Sequence, residues 1–228
     1  MTRRTNAAVA GSALLLYIAV GVTQMAALGD TTAGEGAAAQ LASMAQHAAG
    51  VRVDVVLGLL TCFFALVLAV TFHAITRDED PDLAMLALTC RVAEGVVGGL
   101  FLPLTLGLLA VATATGADRP EAGAASALGS FILTARSWAP TIAASFFAVG
   151  STLFSWLLLR GRMIPTPLAW LGVVASVLLV VGLPLRLLDV LHGTPAALLW
   201  LPMAAFEIPL GFWLIIKGVA GGPSPRAR

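Results

Sequence analysis

The stretch from residue 83 to residue 113 reads "LAMLALTCRVAEGVVGGLFLPLTLGLLAVAT" and contains only two charged side chains, Arg91 and Glu94. A helix crosses the hydrocarbon core of a bilayer with about 20 mainly apolar residues, so this stretch is long enough to cross at a tilt. Because lipid offers no hydrogen-bond partners, a crossing segment must satisfy its own backbone groups as a helix. The stretch therefore predicts a membrane helix with an arginine and a glutamate inside its apolar run.

The composition of the whole chain also indicates a membrane protein. Of its 228 residues, 59% are hydrophobic and 11% are charged, whereas a soluble domain has about 25% charged residues. The net charge of +1 provides no basic surface for phosphates, which argues against nucleic acid as a partner. Membrane lipids are the expected surroundings, and the sequence predicts no particular oligomeric state. Cys62 and Cys90 lie within apolar runs and are interpreted as small buried hydrophobic residues.

Six apolar segments are long enough to cross the membrane. They lie at about 7–28, 52–75, 83–113, 138–159, 167–188 and 197–219. We therefore predict an all-α polytopic integral membrane protein, with residues 1–228 forming a single domain and a six-helix transmembrane bundle. A cleaved signal peptide is the less favoured interpretation of the first segment, because its apolar part is long and no clean cleavage site follows.

Three segments outside the predicted spans have expected structures of their own. The alanine-rich segment 37–49 predicts a short helix lying on the outer surface. An amphipathic turn is expected at residues 126–137, before the fourth span. Residues 220–228 have no core-forming side chains, and they are predicted to be a disordered cytoplasmic tail.

The distribution of basic residues predicts the orientation. An even number of spans places both termini on one side, and lysine and arginine are in excess on the cytoplasmic side. Eight basic residues would lie on the side of the termini and four on the other side. Both termini are therefore expected in the cytoplasm, with the protein in the cell (inner or plasma) membrane. The eight are Arg3, Arg4, Arg77, Arg160, Arg162, Lys217, Arg226 and Arg228, and the four are Arg52, Arg119, Arg136 and Arg186.

Arg91, Glu94 and Glu207 are predicted to meet in the middle of the membrane. Counted from Leu83 at 1.5 Å a residue, Arg91 lies about 12 Å deep and Glu94 about 16 Å deep. Glu207 precedes Lys217 by ten residues, so it lies about 15 Å from the same face. The three-residue spacing places Arg91 and Glu94 on one helix face, and both can turn inward together. Glu207 is the expected second partner for the planar guanidinium group.

The charges of this predicted cluster do not balance. An ionised side chain at the bilayer centre costs at least about 2.5 kcal/mol, and one arginine cannot neutralise two glutamates. One of Glu94 and Glu207 is therefore expected to hold a proton, or a cation is expected beside them. The cluster indicates a site for a small ligand, proton or ion in a transport- or sensor-like protein. Alternatively, it is only an interhelical ion pair in a structural or partner-binding subunit.

A lipid-modifying membrane enzyme is the third and least favoured class. The sequence contains no GxSxG, HExxH or P-loop motif, so we expect a non-catalytic protein without a cofactor. The three histidines offer no predicted metal or haem site. Arg52 with Asp54, and Arg186 with Asp189, are interpreted as polar anchors at the outer ends of the second and fifth spans. Tyr17 is assigned to an aromatic belt with most of the tryptophans.

Three stretches resemble a bacterial membrane family known as domain of unknown function 4386. They are "LAMLALTCRVAEGVVGGL" at 83–100, "LLLRGRMIPTPLAWLGVV" at 157–174 and "LPMAAFEIPLGFWLIIKGV" at 201–219. The resemblance implies a six-helix integral membrane protein and brings no established activity. The family often has a histidine where the fourth helix opens, and this chain reads "TARSWAP" there at 134–140. The matching residues are Arg52, Arg91, Glu94, Arg160, Pro165, Glu207, Trp213, Leu214, Lys217 and Gly218.

Overall fold

The computed structural model describes residues 1–28, 34–116 and 120–220. Within these ranges the chain forms eight helices and no strand. Six helical segments are long and apolar enough to cross a membrane, with α7 and α8 together forming the sixth. The prediction of an all-α, six-helix membrane bundle is confirmed. The helices are α1 (Arg3–Leu28), α2 (Ala37–Gln46), α3 (Ala48–Thr76), α4 (Pro81–Thr113), α5 (Ala122–Arg160), α6 (Thr166–Leu187), α7 (Gly193–Leu198) and α8 (Leu201–Ile216).

The crossing helices are arranged as a closed ring. Each packs against the next, from α1 through α3, α4, α5 and α6 to α8, and α8 packs against α1. Two glycines permit the closing contact, because a Cβ atom built on Gly11 would lie 2.5 Å from the carbonyl oxygen of Gly211. Residues without a Cβ atom let helix backbones approach this closely. A continuous core of buried apolar side chains joins all six crossing segments.

Both ends of the described chain lie on one face of the ring, which we call the terminal face. The Arg3 guanidinium donates to the carbonyl of Ile75 near the end of α3, at 3.0 Å. Arg4 donates to the carbonyls of Ile216 and Lys217 at the end of α8, at 3.0 and 2.9 Å. A cation at a helix C-terminus satisfies carbonyls without an intrahelical partner and complements the helix dipole. These contacts tie the start of α1 to the ends of α3 and α8.

The start of α4 and the end of α5 share the terminal face. Asp80 caps α4, since its carboxylate accepts from the N–H of Leu83 at 3.1 Å, and Pro81 begins the helix. Both residue types favour a helix start. Arg160, the last residue of α5, donates to the Asp80 carboxylate at 3.2 Å. Successive crossing helices therefore run in opposite directions, and the loops between them alternate between the terminal face and the opposite, distal face.

Two elements on the distal face add to the prediction or differ from it. The predicted short helix α2 is present, and it buries Leu41 and Met44 against α3, α4 and α5. Helix α5 begins at Ala122, so residues 126–137 form regular helix rather than a separate turn. Its 39 residues extend for about 58 Å, beyond a hydrocarbon core of about 30 Å. The projecting turns provide the apolar surface on which α2 packs.

The last crossing segment is divided. Helix α7 ends at Leu198 and α8 begins at Leu201, with Pro202 in its first turn and Pro209 in its interior. Proline lacks the N–H that would bond the carbonyl four residues earlier, which explains the break before Pro202. Ala220, the first residue of the predicted tail, donates its N–H to the carbonyl of Met163 at 2.9 Å. Residues 221–228, the remainder of that prediction, lie outside the described residues, as does Arg119.

Candidate functional site

Arg91 and Glu94 lie inside the ring, as their spacing on α4 predicts. The Arg91 Nη1 and Glu94 Oε2 atoms are 2.7 Å apart, and the two side chains are only 4% and 7% exposed. The contact involves one guanidinium nitrogen rather than a two-pronged fork, and its N–H is not aligned for a hydrogen bond. The three-residue spacing brings both side chains to one face of α4, so the contact forms within a single helix.

Tyr17 of α1 completes the coordination of Glu94. Its hydroxyl donates to the Glu94 Oε1 atom at 2.7 Å. The assignment of Tyr17 to an aromatic belt is therefore wrong. Its depth was the signal that the sequence offered, because fourteen residues after Arg3 correspond to about 21 Å, near the middle of the span. A tyrosine at that depth needs a hydrogen-bond partner inside the protein.

Two aromatic rings enclose the Arg91 guanidinium. Its central carbon lies 4.8 Å from the centroid of Phe147 on α5 and 5.7 Å from that of Tyr17. Cation–π attraction strengthens where the cation is desolvated, so these rings partly replace lost hydration. Gly150 on α5 makes room for the side chain, since a Cβ atom there would lie 3.0 Å from the Arg91 Cγ atom.

Glu207 of α8 reaches the same region but does not pair directly with Arg91. Among the described residues, no hydrogen bond or ion pair within 4.0 Å involves its carboxyl. The expectation of a direct Arg91–Glu207 contact is therefore wrong. A small pocket of about 30 Å³ is lined by both side chains. Glu94 satisfies the guanidinium from within α4, while Glu207 approaches from a helix that is not adjacent to α4 in the ring.

A much larger cavity extends from Glu94 and Glu207 toward the distal face. Its volume is about 590 Å³, and Tyr17, Phe147 and Trp200 also line it. Four helices each turn one face to it, because the lining positions recur with the helical period over as many as eleven residues, about 16 Å. On α3 these positions are 54, 58, 61, 62 and 65, and on α4 they are 94, 95, 98, 101, 102 and 105.

A second polar cluster lies at the distal end of the large cavity. The Arg136 Nη2 atom of α5 donates to Asp54 Oδ2 of α3 at 2.9 Å, and Gln24 Nε2 of α1 donates to Asp54 Oδ1 at 2.9 Å. Thr61 donates in turn to Gln24 Oε1 at 3.2 Å. We call these four residues the distal cluster. Tyr17, Arg91, Glu94 and Glu207 form the inner cluster.

The interpretation of Asp54 as a polar anchor at the outer end of α3 is wrong. Arg52 is exposed and has no ion pair with the described residues, whereas Asp54 is buried beside Arg136. Residues two apart on a helix point to different faces, so Arg52 and Asp54 cannot turn inward together. Asp54 therefore belongs to the cavity wall rather than to a membrane-interface anchor. No sequence pattern indicated Gln24 or Arg136 as its partners, because both come from other helices.

Arg186 and Asp189, the second set of predicted anchors, lie near the distal end of α6, and they form no ion pair with each other within the described residues. Both side chains are exposed and line a groove of about 610 Å³ on the distal face. Asp189 lies beyond the end of α6 with a φ of 57°, so it no longer follows the helical register of Arg186. Its carboxylate lies instead 4.0 Å from the Nδ1 atom of His192. In the described part of the chain, no group of three histidine, cysteine or acidic side chains is arranged to hold a metal ion.

Comparison with known proteins identifies one family. Residues 9–218 match the family described as "Domain of unknown function (DUF4386)", the family that the three sequence stretches resemble. No curated protein and no solved structure matches the chain. The match covers all six crossing segments, with α1 included from residue 9 onward, and all eight residues of the inner and distal clusters.

Proposed function

We propose that the chain, which belongs to the DUF4386 family, binds a small organic cation in the large cavity, as a transport- or sensor-type membrane protein. The observation that carries this proposal is the inner end of the cavity, where two carboxyl groups, Glu94 and Glu207, face a single arginine. The ligand is an apolar molecule with one positively charged group, and that group lies beside the two carboxyl groups.

The size and walls of the cavity favour an organic molecule over a bare ion. Pockets for small molecules have volumes of about 300–1,000 Å³ and mostly apolar walls with a few polar groups. The large cavity, at about 590 Å³, falls in this range. Between its polar ends the lining is mainly small or apolar, with Gly58, Ala65, Gly98, Leu102 and Ala143 among the residues.

The charges around the cavity favour a cation. At the distal end, Asp54 and Arg136 neutralise each other. At the inner end, Arg91 neutralises Glu94, and among the described residues no cationic side chain lies within 4.0 Å of the Glu207 carboxyl. A buried carboxyl group in this position either holds a proton or attracts a positive charge. Occupation by a cation therefore balances the inner cluster.

Aromatic rings in the cavity wall suit the same ligand. Tyr17, Phe147 and Trp200 line the cavity, and the Phe147 and Trp200 ring centroids are 6.1 Å apart. Aromatic faces attract quaternary ammonium groups through cation–π interactions. Arg91 already lies over Phe147, so Trp200 is the ring available to the ligand.

We propose the cell membrane as the location, with the terminal face in the cytoplasm. The excess of lysine and arginine near the chain termini supports this orientation. Placing the large cavity toward the distal face then means that a ligand enters it from the outer side or from the outer half of the bilayer. Single cysteines at Arg77 and Arg186 test the orientation, because only the one on the outer side reacts with an impermeant maleimide in intact cells.

Benzyltrimethylammonium and its neutral isostere, neopentylbenzene, test the proposed function. We expect calorimetry on the purified protein in detergent to show tighter binding of the cation by about tenfold, which corresponds to about 1.4 kcal/mol. Cys62 lines the cavity, whereas Cys90 does not. Bound cation should therefore slow the reaction of Cys62 with a small thiol reagent and leave that of Cys90 unchanged.

Two glycines of α4 provide a matched pair of variants. A Cβ atom added at Gly98 or at Gly107 would meet no atom within 4 Å, so both positions accept a larger side chain. Gly98 lines the large cavity and Gly107 does not. We expect Gly98→Leu to weaken binding of benzyltrimethylammonium by at least about tenfold and Gly107→Leu to leave it unchanged. Equal effects of the two substitutions, or preference for the neutral isostere, would refute the proposal.

A structural role is the second candidate. The Tyr17–Glu94 hydrogen bond joins α1 to α4, and the Arg136–Asp54 pair joins α5 to α3, so polar contacts do connect helices of the ring. In that case benzyltrimethylammonium does not bind, and Gly98→Leu changes nothing but stability. The Arg91–Glu94 pair itself lies within one helix and joins no two helices.

A further inference from the structure

The small pocket between Arg91 and Glu207 is polar for its size. It has a volume of about 30 Å³, and four polar side chains line it: Arg91, Ser151, Ser155 and Glu207. A cavity needs about 10–15 Å³ and two to four polar partners to hold an ordered water molecule. The small pocket meets both requirements, with room for one or two waters.

The two serines have hydroxyl groups free to bind water. Elsewhere on α5, the hydroxyls of Ser145 and Thr152 donate to the carbonyls four residues earlier, at 3.0 and 2.8 Å. Within the described residues, the hydroxyls of Ser151 and Ser155 have no such bond. Ser155 is nevertheless buried. A buried hydroxyl without a partner is costly, and a water in the adjoining pocket satisfies it.

We infer that water bound in the small pocket connects the Arg91 guanidinium to the Glu207 carboxyl, and that Glu207 releases a proton into it when a cation occupies the large cavity. Glu207 lines both the pocket and the cavity, so it borders the ligand on one side and the water on the other. The release breaks the carboxyl O–H bond, the proton passes to the pocket water and then to solvent, and the cation replaces its charge.

The first half of this inference stands on the pocket alone, whereas the proton release rests on the proposed function.

Several other groups face Glu207 and influence its proton. The pocket lies on the terminal-face side of Glu207. Leu158, which lines the pocket, is only two residues before the end of α5 at that face. The titratable and charged groups around Glu207 are Arg91 and Glu94 of α4, Tyr17 of α1, Cys62 of α3 and, at the distal end of the cavity, Asp54 and Arg136.

Ordered density tests the water. We expect an experimental map that resolves waters to show one within hydrogen-bond distance of Arg91, Glu207 and Ser155. The substitution Ser155→Val should remove it, while Ser145→Ala, whose hydroxyl bonds only its own helix, should keep it. A pocket filled by side chains, or a direct Arg91–Glu207 contact, overturns this half of the inference.

Calorimetry in two buffers with different heats of protonation tests the proton release. At cation concentrations that saturate both proteins, and over a series of pH values, we expect benzyltrimethylammonium to displace up to one proton per bound cation from the native protein, and none from Glu207→Gln. A pH-indicator dye in a stopped-flow instrument should show release slowed by about tenfold in Ser155→Val, the loss of one hydrogen bond of about 1.4 kcal/mol, but not in Ser145→Ala.

The outcomes separate the two proposals. Binding without proton release at any pH overturns the inference and leaves the proposed function intact. Release that persists in Glu207→Gln assigns the proton to another group, and also overturns the inference. Failure of the cation to bind the native protein refutes the proposed function and the proton release together, while the map still decides whether the pocket holds water.

Discussion

The two ends of the large cavity hold buried charge in different ways. At the distal end, Asp54 receives hydrogen bonds from Arg136 and Gln24, and these residues come from three different helices. At the inner end, Arg91 and Glu94 come from one helix, and Glu207 has no cation of its own among the described residues. The distal cluster is balanced and connects helices, which is typical of structural polar groups. The inner cluster has an excess carboxyl group, which is typical of a binding site.

This contrast predicts that substitutions at the two ends affect stability and ligand binding differently. A change in the distal cluster should lower stability and spare binding. A change at Glu207 should do the reverse, since no direct partner is lost. A change at Arg91 should affect both stability and binding, because Arg91 neutralises Glu94 and lines the small pocket together with Glu207.

The largest expected effect is that of Arg91→Met. Removing one partner of a buried ion pair leaves an uncompensated charge and lowers stability by about 3–5 kcal/mol. Denaturant titration of the purified protein in micelles measures the free energy of unfolding. Arg52→Met on α3 is the control, because an exposed arginine without an ion pair should change stability by less than about 0.5 kcal/mol. Similar losses in both variants would mean that the inner cluster is not buried from water.

A smaller effect is expected for Asp54→Asn. The substitution keeps the shape and removes the charge that Arg136 contacts, so we expect a loss of about 1.5–3 kcal/mol, the range for a hydrogen bond to a charged group. Binding of benzyltrimethylammonium should change by less than about twofold. A tenfold loss of binding with unchanged stability would invert the proposed division between the two ends.

The smallest effect is expected for Tyr17→Phe. The hydroxyl that donates to Glu94 is lost, but Glu94 retains Arg91, so the stability should fall by only about 1 kcal/mol. The same denaturant titration measures it. Leu16→Ala provides a comparison on α1, because Leu16 is 51% exposed on the outside of the helix. A loss of stability well above about 1 kcal/mol would show that Tyr17, rather than Arg91, is the main partner of the Glu94 carboxylate.

Periodicity and depth allowed the correct prediction of the six crossing segments and of the pairing between Arg91 and Glu94. Both depend on spacing along one helix, which the sequence states directly. The partners of Asp54 could not be predicted in the same way, because Gln24 and Arg136 approach from α1 and α5, and their distance depends on packing in the ring. Counting residues along the helices placed Glu207 at the level of Arg91. It could not give the lateral distance between the two side chains, which the small pocket separates.

Helix α5 shows a second limit of the sequence reading. Hydropathy marks where a segment enters lipid, and it gave no reason to extend the fourth helix back to Ala122. That extension is stabilised by α2, whose Leu41 lies against Gly129. The position of Tyr17 could have been predicted, because its depth near the middle of α1 does not fit the membrane interface that tyrosine usually prefers.

The contact between Gly11 and Gly211 links α1 to α8, which are far apart along the chain. After α1 has been translated, about 190 further residues must follow before α8 is complete and this contact can form. In the meantime, the side of α1 that carries Gly11 remains open to lipid or to a chaperone. Chains interrupted before α8 should therefore form an incomplete ring of helices, which membrane quality control can recognise.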